Sequence, residues 1–102
     1  MIRKEYTTLE KMQIEIMRDI FENLENPKHI RTLLENLIIT DKQRLLLQMK
    51  YCDRAVNKTI AYKLKVSDRW FSSLLNEALL SSYNSLRYNL RNGGVVPTTS
   101  KP

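Results

Sequence analysis

The chain has 102 residues, a net charge of +6 and 42% apolar residues, with one cysteine and one histidine. That length holds one small domain with a modest core, and this apolar fraction excludes wholesale disorder. An intramolecular disulfide is excluded, a lone histidine has no partner for a metal site, and no hydrophobic run approaches the roughly 20 residues of a membrane span.

The 2 glycines and 3 prolines lie almost entirely at segment borders or near the C-terminus, and Leu, Lys, Glu, Asn, Arg and Met dominate the rest. This composition favours helix. The expected fold is all-α: a small bundle of about five helices containing a helix-turn-helix and ending in a long recognition helix. It divides into N-terminal helices over residues 1–39, the motif-bearing segment over 40–92 and a disordered tail over 93–102, in one compact domain. The N-terminal run MIRKEYTTLEKMQIEIMRD interrupts every apolar pair with charge and lacks a secretory hydrophobic core. Together with the single cysteine this predicts a cytoplasmic protein.

Residues 1–6 read as frayed. Thr7 or Thr8 caps a first helix running to about Asn26, with Leu9, Met12, Ile16, Ile20 and Leu24 on one stripe, Met17 and Phe21 beside it and Ile14 at its flank. The apolar arc covers close to half the circumference. Two readings stand: a core helix packed across the others, or a helix that also meets a partner, either a second copy or a subunit of the transcription machinery.

Asn26-Pro27 stops that helix and starts the next, which runs to about Leu37 with Ile30, Leu33, Leu34 and Leu37 inward and His29 at the surface. Thr40-x-x-Gln43 is a capping box opening a third helix, Asp41 to about Tyr51. Leu45, Leu46, Leu47 and Met49 are its buried side, and Lys42, Arg44 and Lys50 its outer one. Cys52, in the connector that follows, is a small core residue with no catalytic company.

Asn57 caps a short fourth helix, about Lys58 to Lys65, and Ser67 caps a fifth that meets no Pro or Gly until Gly93. Ile60, Ala61 and Leu64, then Val66, then Phe71, Leu74 and Leu75 fall where two crossing helices must touch. Arg69, Ser72, Ser73 and Asn76 point away. That is a helix-turn-helix pattern. Along the fifth helix, Ala78, Leu79, Ser82, Leu86 and Leu90 continue the packed face, with Leu80 and Arg87 opposite. A helix of about 25 residues outruns what DNA recognition needs, so its second half, with Tyr83 and Tyr88, serves the core or a partner.

Charge follows the same division. Residues 1–26 carry −2 and residues 27–102 carry +8, with Lys42, Arg44, Lys50, Arg54, Lys58, Lys63, Lys65 and Arg69 clustered around the motif. Such a surface attracts phosphates, though lysines also keep helix faces soluble.

The run LLLQMKY, a connector, and IAYKLKVSDRWFSSLLNEAL resembles small phage-encoded transcription regulators of the ArpU and RinA groups and, more distantly, the fourth region of bacterial sigma factors. Ile60, Ala61, Leu64, Val66, Ser67, Arg69, Phe71, Ala78 and Leu79 meet their pattern. Trp70 stands where threonine or valine is usual, and Lys65 and the connector lack the usual glycines. The resemblance covers about residues 40–80 and implies a regulator that switches on a late, packaging or lysis operon.

From residue chemistry, the base-reading candidates are Arg69, Ser72, Ser73, Asn76 and Trp70, with Arg69 suited to a bidentate guanine contact. Arg54, Lys58, Lys63, Lys65 and Ser67 are candidates for the DNA backbone. Trp70 is either a half-buried ring closing the motif or an aromatic contact to sugar or a thymine methyl. The expected partner is double-stranded DNA, with RNA polymerase or sigma and a homodimer as further partners, and no membrane. No cofactor or metal is expected. No glycine-rich phosphate loop, Cys-His cluster or nucleophile triad is present, so no enzyme is expected. The competing functions are a phage factor docking on RNA polymerase or sigma and the DNA-recognition subunit of a packaging terminase.

Overall fold

A computed structural model describes residues 5–91. Among them are five α-helices and no strand: α1 Thr8–Asn23, α2 Pro27–Asn36, α3 Asp41–Leu47, α4 Asn57–Leu64 and α5 Asp68–Arg91, with a π-helical turn over Gln48–Cys52 extending α3. The small all-α bundle is the expected architecture; the expected disordered tail lies outside the described residues.

Local capping chemistry sets most of the boundaries. Thr7 and Thr40 each form a complete capping box, with Glu10 and Gln43 reaching back to the cap N–H. Asn26 accepts from the Lys28 N–H ahead of Pro27, whose missing N–H costs nothing in a first turn. Ser67 accepts from the Trp70 N–H at 3.1 Å and opens α5. The expected cap at Asn57 is corrected. Val56, in an extended conformation, holds the cap position, and the Asn57 side-chain oxygen accepts from Lys50 Nζ at 2.9 Å instead.

The wide apolar arc of α1 splits in two. Ile14, Met17 and Phe21 enter the core, while Leu9, Met12 and Ile16 stay exposed at 61%, 57% and 46%. The core-facing stripe is therefore the flank of the expected one. Phe21 stacks on Tyr51 with ring centroids 5.0 Å apart, fastening α1 to the π turn. Ile30 and Leu34 from α2, Leu46 and Leu47 from α3, Ile60 and Ala61 from α4, and Phe71, Leu75, Ala78 and Leu79 from α5 complete the core.

Three expectations about the outer faces are overturned. Arg44 is half-buried and donates to the carbonyls of Leu34, Leu37 and Ile39, so it closes the carbonyl end of α2 rather than facing solvent. Leu45 is 47% exposed. On α5, Leu80 is buried and Leu90 is exposed, the reverse of the expected assignment, because α1 covers a second side of α5 that helical spacing alone leaves to solvent.

Candidate nucleic-acid interface

The crossing of α4 and α5 depends on the three-residue connection Lys65-Val66-Ser67. Lys65 is left-handed, at φ 60° and ψ 45°. Its N–H donates to the Tyr62 carbonyl at 3.1 Å and the Val66 N–H to the Ala61 carbonyl at 3.0 Å. This pair is the Schellman closure that usually falls to glycine. Arg54, in the connector before α4, is also left-handed at φ 55°. Cationic residues that carry a Cβ therefore hold both positive-φ positions among the described non-glycine residues. Each pays a steric cost of about 1–2 kcal/mol relative to a right-handed residue.

The candidates for backbone contact, Arg54, Lys58, Lys63, Lys65 and Ser67, are all exposed. Four carry positive charge on α4 and the two connectors that bound it. Ser67 already spends an oxygen lone pair on its cap, leaving its hydroxyl hydrogen to donate.

The base-reading candidates fall into three environments. Arg69 and Ser72 are exposed on the first turns of α5. Trp70 is half-buried. Ser73 and Asn76 are half-buried, and the Asn76 side-chain oxygen accepts from Arg18 Nη2 at 3.1 Å.

That bond belongs to an arrangement in which Tyr6, Lys11 and Arg18 meet the base-reading candidates, although none of these three is among the site residues expected from the sequence. The start of α1 runs beside the first half of α5. The Tyr6 hydroxyl donates to Glu77 Oε1 at 2.9 Å, so a residue expected to fray is anchored 71 positions away. Burial, then the Glu77 hydrogen bond and the nearby Glu77 and Glu10 charges, push the Tyr6 hydroxyl up to about 12. Between the two helices runs a groove of about 610 Å³, with Glu5, Tyr6 and Lys11 on one wall and Arg69, Ser72, Ser73 and Asn76 on the other. A smaller adjoining space of about 310 Å³ extends to Arg18. Lys11 and Arg18, seven residues apart, share one side of α1. That cationic spacing was legible in the sequence, but nothing there said which element it would face.

Among the described residues no group of three potential metal ligands occurs, and no helix is long and apolar enough to cross a membrane. The Cys52 thiol is pushed up by burial, with Arg31 opposing, and lies 3.6 Å from the Pro27 carbonyl, a packing position between α2 and the π turn.

A family model described as "Protein of unknown function (DUF1492)" matches residues 3–82, spanning all of α1 to α4 and α5 as far as Ser82. No curated protein and no solved structure matches.

Proposed function

The chain belongs to the DUF1492 family, and we propose that it is a sequence-specific double-stranded-DNA-binding regulator akin to the phage ArpU and RinA groups, acting on a late operon. The observation that carries the reading is the exposure of Arg69 and Ser72 on the opening turns of α5, next to a left-handed turn and an α4 lined with outward cations. An α-helix fits the major groove, and a guanidinium there can take both acceptors of a guanine edge. Lys58, Lys63, Lys65 and Arg54 hold phosphates, which fixes register without reading sequence.

The test is a binding titration over a salt series, using the promoter duplex next to the gene and a scrambled duplex of equal length. Tight, salt-sensitive preference for the promoter is expected. Salt-sensitive binding without preference would remove the sequence-specific reading, and absence of binding would remove DNA recognition altogether. Lys63→Ala is expected to weaken both duplexes alike and to lower the salt slope by about one unit.

One observation favours a second reading, a factor that docks on RNA polymerase or its sigma subunit. Leu9, Met12 and Ile16 leave an apolar stripe on α1 facing outward, bordered by exposed Glu15, Asp19 and Glu22. Copurification with polymerase that survives Arg69→Ala and is lost on Met12→Asp would support it.

A further inference from the structure

We propose that the groove between α1 and the reading face of α5 admits the edge of the bound DNA, and that Lys11, on its α1 wall, is a backbone contact. The inference rests on the DNA-binding reading and extends the interface to a helix outside the helix-turn-helix.

An α-helix with its side chains is about 10–12 Å across and the major groove about 12 Å wide, so a helix lying in it meets a sugar-phosphate strand on either side. On one side of α5 stand the cations of α4 and its connectors. On the other stands α1. At about 100° per residue, Ser72, then Asn76 and Arg69, then Ser73 and Glu77 follow one another around α5. The bond from Arg18 to Asn76, within that series, and the bond from Tyr6 to Glu77, at its end, hold α1 against this face of α5. Arg69, Ser72, Ser73 and Asn76, the reading candidates, form the α5 wall of the groove, and Lys11 faces them from α1. The volume of the groove is about 610 Å³.

Its chemistry suits a phosphate. Lys11 and Arg69 stand on opposite walls, neither engaged in an ion pair among the described residues, with the Ser72 and Ser73 hydroxyls beside them. Three carboxylates of the two helices are committed elsewhere: Glu10 to the Thr7 cap, Glu15 to Arg18 and Glu77 to Tyr6. Among the described residues, Glu5 is the single carboxylate in the lining. A lysine there adds affinity without sequence information, because an ammonium on a flexible stem meets a phosphate as a point charge.

The experiment measures affinity for the promoter duplex and its scrambled control across a salt series, with wild type, Lys11→Ala, Lys11→Arg and Lys28→Ala. Lys28, exposed on the first turn of α2, is absent from the groove lining and controls for net charge. Lys11→Ala is expected to weaken both duplexes by the same factor and to lower the slope of log affinity against log salt by about one unit. Lys11→Arg is expected to keep the wild-type slope, and Lys28→Ala to change it much less than Lys11→Ala. Lys11 is exposed, so melting followed by circular dichroism should match wild type and exclude a folding defect. A wild-type slope for Lys11→Ala, or an equal loss for Lys28→Ala, would overturn the contact while leaving DNA binding in place. If wild type binds neither duplex, the DNA-binding reading falls and the contact with it.

Discussion

Arg18 on α1 donates to the side-chain oxygen of Asn76 on α5 at 3.1 Å, tying the N-terminal helix to the middle of the face proposed to read DNA. The same guanidinium holds Glu15 one turn earlier on α1. Asn76 therefore has a structural duty before any functional one, and its amide nitrogen is the part left for a ligand.

A double-mutant cycle measures that duty. Arg18→Ala and Asn76→Ala should each lower stability, with a coupling of about 1 kcal/mol in urea denaturation, as for a hydrogen bond to a charged group that is only partly screened. Additive losses would mean that the two side chains do not communicate in solution.

Arg69 separates reading from folding. It is exposed, so Arg69→Ala should leave the melting temperature within about 2–4 °C, as for a surface change within roughly 0.5 kcal/mol. The same change should cost about 1–3 kcal/mol of affinity for the specific duplex and little for the scrambled one. Equal losses on both duplexes would make Arg69 a phosphate contact.

Lys65 sets stability against binding. Its left-handed backbone strains any residue with a Cβ, so Lys65→Gly should raise stability by about 0.5–1 kcal/mol, net of the extra freedom glycine has when unfolded. It should also weaken DNA binding by removing a cation from the connector. A variant both less stable and undiminished in binding would contradict both roles.

Alkaline pH should unfold the protein through its buried phenols. Burial pushes Tyr51 up to about 12, with Arg18 pulling the other way, and Tyr6 is likewise raised to about 12. An unfolded tyrosine ionises near 10, so between about pH 10 and 12 the unfolded chain loses protons that the folded one keeps. The stability from these groups is fully present below pH 10 and is lost as pH rises through 12. Denaturant midpoints from pH 8 to 12 should fall across that window, and Tyr51→Phe should shallow the fall. An unchanged slope in Tyr51→Phe would assign the effect elsewhere.

Much of this molecule can be read one residue at a time. The caps at Thr7, Thr40 and Ser67 are bonds between a side chain and an N–H three residues on, so sequence spacing contains their geometry. The α4–α5 crossing is similarly legible, because its apolar positions fall on two short helices with a connection too brief to allow another arrangement. The exposed cations at Arg54, Lys58, Lys63 and Lys65 follow from the same spacing. Packing between distant segments settles the rest. An apolar arc covering nearly half of α1 fits a core in more than one rotation, and only docking against α5 and Tyr51 selects Ile14, Met17 and Phe21 over Leu9, Met12 and Ile16. Arg44 turns inward because the carbonyl end of α2 arrives beside it. The groove that brings Lys11 opposite Arg69 joins residues 58 positions apart, and helical periodicity carries no information across that separation.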